Sequence, residues 1–503
     1  MPIFALPSPY GIGTLGKASR DFVDFLAESK QSWWQILPVG PTSYGDSPYP
    51  RPSTHAGNPY FIDLDILVAD GLLQQSEIDE LSWGANPSLV DYGALYENRY
   101  TLLKKACERG FERDTEKVKA FTEKNSYWLH DYALFMALKR HFDMRCWLEW
   151  PDEDIRLRKP AAIAYYTEKL ADDIRLFTYI QYLFFTQWNA LREYAHEHSV
   201  GIIGDLPIYV ALDSVDVWAA PESFQLDSKG FPCEVAGVPP DQFTADGQLW
   251  GNPLYAYDVM QKDGYKWWIQ RIEGASKLYD VVRIDHFRGF ESYWSVPYDE
   301  KTAKNGHWVK GPGMSLISVL KKQFPNISFI AEDLGYPSQE VVKLLHDSEF
   351  PGMKVLEFAF NANDNSVYLP HAHNENCVCY TGTHDNDTTK GWYVSAPEKE
   401  KDHYRRYLNV DGSNVAWDFI RLAMSSSADM AIIPLQDVMA LATEHRMNIP
   451  GTSDGNWGFT FRFEWWWDGF TDGLKYTSEL FGRNQKPALK KDEKTEETAA
   501  EEA

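Results

Sequence analysis

The feature that most constrains this chain is a short apolar segment, residues 281–290, that ends in a cluster of charged side chains. Val281 and Ile284 are typical of the start of a buried strand. Arg283 and Asp285 interrupt the apolar pattern at alternate positions, so they share one face of that strand. An arginine beside an aspartate favours the ionised carboxylate, which suits a nucleophile. An isolated pattern of this kind is more often a structural ion pair.

Two further apolar segments end in the same way. Residues 326–334 finish with Glu332, and residues 377–387 finish with His384 and Asp385. Carboxylates at the ends of separate parallel strands can converge on one point. Packing of a hydrophobic core gives no reason for three buried strands to end in acids. Together the three segments therefore predict a catalytic site.

The spacing of apolar segments predicts an α/β fold, a (β/α)8 TIM barrel. The strand candidates are residues 33–38, 201–205, 281–285, 328–332, 354–360, 378–383 and 430–435. Helical periodicity precedes most of them, for example in residues 174–196 and 314–324. This alternation is typical of a parallel barrel. The eighth strand is expected at the extreme N-terminus, and it must be short.

Far more chain separates the second and third expected strands than a loop requires. We therefore expect one catalytic barrel over residues 1–482, which includes a mainly helical insertion at residues 60–195 and an inserted loop region at residues 206–260. Residues 483–503 are charged, low in complexity and free of aromatic side chains. This composition predicts a disordered tail.

Charge and cysteine content exclude several classes of function. A net charge of −24 argues against nucleic acids and anionic membrane surfaces as partners, whereas neutral polymers remain possible. The 5 cysteines are odd in number and scattered, which favours reduced thiols and a cytoplasmic location. The sequence lacks a membrane-spanning apolar stretch and a signal-peptide pattern at its start.

The motif Gly11-Ile-Gly13-Thr-Leu-Gly16 satisfies the G-x-G-x-x-G pattern of dinucleotide-binding proteins. Hardly any chain precedes it to form the first strand, and the strand that follows has no acidic residue for a ribose. We interpret the glycines as a tight loop, and no cofactor is expected.

The strand-end motifs resemble those of the α-amylase clan of retaining α-glucan enzymes. They are Arg283-Ile-Asp285-His286, Glu332-Asp333 and Thr383-His384-Asp385-Asn386. Residues 45–49, 56–60, 204–210, 239–241, 247–253 and 280–290 are similar to one group in that clan. This group is the 4-α-glucanotransferases of glycoside hydrolase family 77, called amylomaltases or disproportionating enzymes. The likeness runs from about residue 6 to residue 457.

The resemblance implies retaining transfer of a 1,4-α-D-glucan segment to the 4-hydroxyl of an acceptor glucose or glucan. It implies Asp285 as the nucleophile of a covalent glucosyl-aspartate and Glu332 as the acid, about 5 to 5.5 Å apart. Asp385 completes the implied catalytic set. The implied substrate-binding residues are Tyr49, Asp213, Trp250, Arg283, His286, His384 and Asn456. The implied partners are maltooligosaccharides and 1,4-α-glucans, without a metal, bound by a monomer or weak homo-oligomer.

Three alternatives remain open at this point. A retaining α-glucan hydrolase uses the same chemistry and differs only in taking water as the acceptor. A metal-dependent barrel hydrolase could use the pair His371 and His373, although Arg283 beside Asp285 would compete with a cation. A non-catalytic sugar-binding barrel would tolerate the loss of any one carboxylate, and all three are present.

Overall fold

The computed structural model describes residues 1–43, 45–240, 244–335, 338–361, 366–452, 454–466, 468–487 and 489. The strands are β1 (Trp33–Gln35), β2 (Gly201–Leu206), β3 (Glu234–Val238), β4 (Gln248–Pro253), β5 (Val281–Ile284), β6 (Ser292–Pro297), β7 (His307–Lys310), β8 (Ser328–Ala331), β9 (Gly352–Val355), β10 (Cys377–Tyr380) and β11 (Met430–Ile432). The helices that precede β5 are α1 (Lys17–Glu28), α2 (Leu64–Ala69), α3 (Gln75–Asp79), α4 (Tyr92–Gly110), α5 (Thr115–Lys124), α6 (Leu129–His141), α7 (Glu153–Arg156), α8 (Pro160–Lys169), α9 (Ala171–Glu197), α10 (Val215–Ala219), α11 (Tyr257–Lys262) and α12 (Lys266–Leu278). The later helices are α13 (Met314–Gln323), α14 (Gln339–Ser348), α15 (Thr389–Ser395), α16 (Glu398–Leu408), α17 (Val415–Ser425), α18 (Leu435–Val438) and α19 (Asp468–Leu480).

Parallel strands form the centre of the molecule in two hydrogen-bonded arcs. One arc has the order β1-β2-β5-β8 and the other β11-β10-β9. The Ala331 amide donates to the Pro351 carbonyl at 2.9 Å, which places the end of β8 beside the segment leading into β9. Every residue of β2, β5 and β10 is buried, as expected for strands that helices cover. Each predicted segment overlaps a strand, but the bounds differ: β2 continues to Leu206, and β9 begins at Gly352 and is followed by a 3-10 turn at Leu356–Phe358. These seven parallel strands alternate with helices as predicted for a (β/α)8 barrel.

The extreme N-terminus differs from its prediction as the eighth strand. Ile3–Ala5 forms a 3-10 turn, and Pro2 before it has no N–H to donate to a strand ladder. The Met1 ammonium donates to the Gln35 carbonyl at 3.2 Å, and the Trp34 indole donates to the Met1 carbonyl at 2.7 Å. The N-terminus therefore lies beside β1 without forming a hydrogen-bonded strand.

Helices α2–α9 occupy the chain between β1 and β2. Two glutamines of α9 fasten this helical segment to the loop that follows β1. Gln181 accepts from the Gly57 amide at 2.7 Å, and Gln187 accepts from the Asp63 amide at 2.7 Å. Both glutamines are buried and also donate to the carbonyls of the same residues. The backbone of the loop is thus held from the helical side.

A second sheet, antiparallel and in the order β4-β3-β6-β7, covers the end of the barrel near β5. Its strands β3 and β4 fall within residues 206–260, which the sequence predicted as an inserted loop region. The prediction missed these strands because β3 pairs with β6, beyond the barrel strand β5, and the local pattern does not reveal that pairing. Residues 241–243 lie outside the described residues.

Most of the predicted disordered tail, residues 483–503, also lies outside the described residues. Within the described part of the chain, no helix is sufficiently long and apolar to cross a membrane.

Candidate active site

A buried guanidinium joins the ends of β2 and β5. The Arg283 Nη1 atom donates to Asp205 Oδ1 at 2.6 Å and to Asp285 Oδ1 at 3.2 Å. The Arg283 and Asp205 side chains are only 4% and 1% exposed, whereas Asp285 is 30% exposed. Arg283 is therefore anchored mainly by Asp205, and Asp285 extends further towards the open end of the barrel. The site prediction missed Asp205, although it also ends an apolar strand.

The nucleophile candidate and the acid candidate end neighbouring strands. Ile284 pairs with Ala331 in the β5–β8 register, so Asp285 and Glu332 follow at the same level. His286 has a φ of 52°, a left-handed conformation that few residues with a side chain adopt. In this turn the His286 amide donates to Glu332 Oε2 at 2.7 Å, and the Leu334 amide donates to Oε1 at 3.0 Å. The carboxylate of Glu332 is thus held in one orientation.

Tyr49 connects the loop after β1 with the ends of β2 and β10. Its hydroxyl donates to Asp205 Oδ2 at 2.7 Å and lies 2.8 Å from Nε2 of His384. The His384 Nε2 atom is in turn 3.4 Å from Asp385 Oδ2. The Trp457 ring lies against the rings of Tyr49 and His384, at centroid distances of 5.9 and 5.8 Å. These side chains form a continuous polar and aromatic wall beside Asp285.

Asp385 is held by a segment that follows α18 and that the site prediction did not include. Asn448 Nδ2 donates to Asp385 Oδ1 at 2.6 Å. Arg446 donates through Nη2 to the Asp385 carbonyl at 2.6 Å and through Nε to the Asn448 carbonyl at 2.8 Å. Arg446 therefore fixes both the backbone of Asp385 and the residue that orients its carboxylate.

Trp250 of β4 packs beside His286, the residue that follows Asp285. Its ring meets the His286 ring edge-on at 4.8 Å and the Tyr209 ring at 6.2 Å. The Trp250 side chain is still 37% exposed, so one part of the indole is open to a ligand.

Two predicted substrate-binding residues are held by their own neighbours. The Asp213 carboxylate pairs with Lys139 of α6 and accepts from the Trp147 amide at 3.2 Å. Asn456 accepts from the Ile449 amide at 2.9 Å and donates to the Thr452 carbonyl at 3.0 Å. These contacts do not join either residue to the carboxylates around Arg283, so their substrate roles stay predictions.

The histidines of the metal alternative lie apart from the carboxylate cluster. His371 Nδ1 is 2.9 Å from the Tyr407 hydroxyl, and His373 Nε2 is 3.0 Å from the Tyr368 carbonyl. Among the residues that the structure describes, no group of three or more histidine, cysteine or acidic side chains could hold a metal ion.

Burial is the largest influence on the pKa values of Asp285 and Glu332. It raises the pKa of Asp285 well above its ordinary value, with Asp205 and Glu332 adding to the rise and Arg283 opposing it. The pKa of Glu332 is raised, again first by burial, against Arg283 and two backbone N–H groups. Arg283 therefore favours the ionised form of Asp285, as the sequence predicted, but burial has the larger effect. A raised pKa favours the protonated form that a general acid at Glu332 requires.

Glu357 is a further buried acid, in the 3-10 turn after β9. Its Oε1 atom has no hydrogen-bond partner among the described residues, and only 7% of the residue is exposed. Burial raises the pKa of Glu357 well above its ordinary value; Asp437 and Asp387 raise it further, and Arg446 and Asn386 oppose the rise. Burial therefore favours the neutral form of Glu357, which lies next to the turn that begins at Gly382 and carries His384 and Asp385.

Comparison with known proteins gives matches along nearly the whole chain. A family profile described as 4-alpha-glucanotransferase matches residues 1–464. The 4-alpha-glucanotransferase of Streptococcus pneumoniae is 48% identical over 462 residues, covering 91% of this chain and 92% of that protein. The 4-alpha-glucanotransferase of Thermus thermophilus is 46% identical over 469 residues, covering 90% of this chain and 92% of that protein.

Two solved structures are similar to this fold. The amylomaltase of Streptococcus agalactiae, in complex with acarbose, has a TM-score of 0.94 and 39% identity, covering 96% of this chain and 98% of that chain. The amylomaltase of Corynebacterium glutamicum has a TM-score of 0.73 at 16% identity, covering 96% of this chain and 73% of that chain, and supports the fold alone.

Proposed function

The chain belongs to the 4-alpha-glucanotransferase family, and on this premise we propose that Asp285 and Glu332 catalyse retaining glucan transfer through a covalent glucosyl-aspartate. The enzyme transfers a segment of a 1,4-α-D-glucan to the 4-hydroxyl of an acceptor glucose or glucan. The observation that carries the mechanism is the placement of both carboxyls at neighbouring strand ends, coupled through the His286 amide.

In the first step the Asp285 carboxylate attacks the anomeric carbon of the donor glucan. The glycosidic bond breaks, and Glu332 gives its proton to the departing oxygen, so the shortened glucan leaves with a free 4-hydroxyl. In the second step an acceptor 4-hydroxyl attacks the same carbon. Glu332 takes the hydroxyl proton, the ester to Asp285 breaks, and the anomeric configuration of the donor is retained.

The surrounding side chains divide between the two sides of the reacting bond. Tyr49, His384 and Asp385 line the side of the transferred sugar. There the Asp385 carboxylate and an imidazole nitrogen of His384 can bind sugar hydroxyl groups as the sugar ring flattens. Burial, with Arg288 as a lesser cause, lowers the pKa of His286 to about 3. Its imidazole is therefore neutral and, with Trp250, suits the uncharged sugar of the leaving glucan or acceptor.

The substrates we propose are maltooligosaccharides and longer 1,4-α-glucans, as donor and as acceptor. A neutral polymer fits a chain with a net charge of −24 better than a polyanion does. The described structure has free thiols at Cys107, Cys146, Cys233, Cys377 and Cys379, in keeping with a reducing, cytoplasmic location. We propose a monomer or a weak homo-oligomer.

Trapping the intermediate tests the mechanism. α-Maltosyl fluoride releases fluoride without help from an acid, so the Glu332→Gln variant can still form the ester to Asp285. The variant then lacks the base for the second step, and the ester accumulates. Mass spectrometry should find one maltosyl group on the peptide that contains Asp285, and the Glu332→Gln/Asp285→Asn double variant should carry none. An adduct on another residue would overturn the assignment.

A further inference from the structure

Two exposed tryptophans flank the segment that follows the nucleophile. Trp250 meets His286 edge-on at 4.8 Å, as described above. On the other edge of the antiparallel sheet, the Trp308 ring of β7 lies under Arg288, with the guanidinium carbon 4.4 Å from the ring centroid. Trp308 is 45% exposed, which is high for an indole that already contacts a cation and the neighbouring Trp294 ring.

The guanidinium of Arg288 keeps donors that protein atoms do not use. Its Nε has no hydrogen-bond partner in the part of the chain that the structure describes. The nearby acid Glu291 is buried and pairs with Lys310. The unpartnered Nε is buried, and the guanidinium stacks on the Trp308 ring, which is 45% exposed. In the described part of the chain no acid forms an ion pair with Arg288, so its outer nitrogens are the donors that a ligand could reach.

The hydrogen bonds of Glu332 show on which side of the reacting bond this pair lies. The acid accepts from the His286 amide at 2.7 Å, and its carbonyl accepts from the Phe287 amide at 3.1 Å. The acid must face the oxygen that leaves and the hydroxyl that enters. Arg288, the partly exposed residue two positions after His286, therefore borders the acceptor side, whereas Tyr49 and His384 border the transferred sugar.

We propose that Trp308 and Arg288 form an acceptor-side subsite that binds a sugar of the incoming α-glucan beyond the first one. This inference rests on the proposed function and adds a specificity for acceptor length. The first acceptor sugar lies against His286 and Trp250, and the chain then continues past Arg288 towards Trp308. The indole covers the apolar face of a glucose unit, while the guanidinium donates to its hydroxyls.

The test compares a short and a long acceptor with one fixed donor. Radiolabelled glucose or radiolabelled maltotriose is supplied with amylose, and incorporation of the label into longer glucan gives the KM of each acceptor. Trp308→Ala should raise the KM for maltotriose about tenfold, the upper part of what one aromatic contact contributes, and leave that for glucose within about twofold. Trp308→Phe should restore much of the maltotriose value.

Arg288→Lys provides a second, independent variant, because it keeps the charge and removes the planar donors. This variant should also raise the KM for maltotriose more than the KM for glucose. Tyr165→Ala, which removes an exposed ring from α8, is the matched control and should change neither KM. Equal effects of Trp308→Ala on both acceptors, or no effect on either, would overturn the subsite. Failure of the proposed function itself would show differently, as wild-type enzyme that incorporates neither acceptor.

Discussion

The backbone N–H of His286 donates to the Oε2 atom of Glu332 at 2.7 Å, so the residue that follows the proposed nucleophile Asp285 orients the proposed acid. This hydrogen bond joins the ends of β5 and β8, in addition to the backbone hydrogen bonds between the two strands. A substitution of either carboxyl should change the chemistry without removing the barrel, because both residues follow the apolar strands and are partly exposed.

Asp285→Ala should reduce glucan transfer by at least about a hundredfold, because the covalent route is lost. Circular dichroism should show an unchanged fold. Asp299→Ala, at an exposed position after β6, is the control and should keep full activity. A folded Asp285→Ala protein with more than about a hundredth of wild-type activity would disprove the nucleophile assignment.

Asn448→Ala should lower kcat about tenfold with little change in KM. Asn448 Nδ2 donates to Asp385 Oδ1 at 2.6 Å. A hydrogen bond to a charged group contributes about 1.5–3 kcal/mol of free energy, and the lower end of that range corresponds to about a tenfold change in rate. We expect the loss in kcat because Asp385 grips the sugar most strongly as its ring flattens. Steady-state kinetics with maltotriose measures both constants, and Ile449→Ala, an exposed residue of the same segment, is the control. A rise in KM at constant kcat would argue against this role of Asp385.

Glu357→Gln should make the protein more stable at alkaline pH than the wild type. The folded-state pKa of Glu357 is raised, whereas the unfolded value is about 4.3. Above about pH 4.3 the unfolded chain releases this proton and the folded chain keeps it, so the wild type loses stability as the pH rises towards the folded pKa. Glutamine does not titrate, and it matches the neutral acid in shape.

Thermal unfolding at pH 5 and pH 8 checks this sign. The gain in Tm of Glu357→Gln over wild type should be larger at pH 8 than at pH 5. Glu375→Gln, at an exposed position, is the control, and its Tm should differ from that of the wild type by the same small amount at pH 5 and at pH 8. A Tm difference for Glu357→Gln that does not change with pH would contradict a buried neutral acid.

Activity should survive exhaustive chelation. Arg283 occupies the centre of the carboxylate cluster, where a bound cation would meet its charge. Assays after dialysis against a chelator, with and without added Mg²⁺, Ca²⁺ or Zn²⁺, measure this directly. Activity that disappears and returns with one of these ions would support the metal alternative.

The sequence predicted the central strands because their apolar segments recur between helical segments along the chain. It predicted that acidic residues end several of these strands because each acid directly follows an apolar segment, and their catalytic roles remain proposals. Asp205 carries the same signal at the end of β2 and could have been included. The ion pair of Asp205 with Arg283 depends on the parallel register of β2 and β5, in which these two residues are partners, and not on any local pattern.

Other features depend on contacts between distant parts of the chain. Asn448 and Arg446 reach Asp385 from 63 and 61 residues away, and no spacing rule connects them. Strand β3 pairs with the distant strand β6, and β4 pairs with β3. A segment with a loop-like composition therefore forms part of a sheet. At the N-terminus, Pro2 and the 3-10 turn of Ile3–Ala5 replaced the expected eighth strand.

The early products of maltotriose test the central claim most directly. Transfer from an enzyme-bound intermediate to a second maltotriose gives longer maltodextrins together with glucose or maltose, while the total of reducing ends stays nearly constant. Chromatography with a reducing-end assay reads both quantities in the first few per cent of reaction. If the enzyme is a transferase, products longer than maltotriose should form while the number of reducing ends stays constant. Reducing ends that increase in step with maltotriose loss, with no longer product, would contradict this prediction and support the hydrolase alternative.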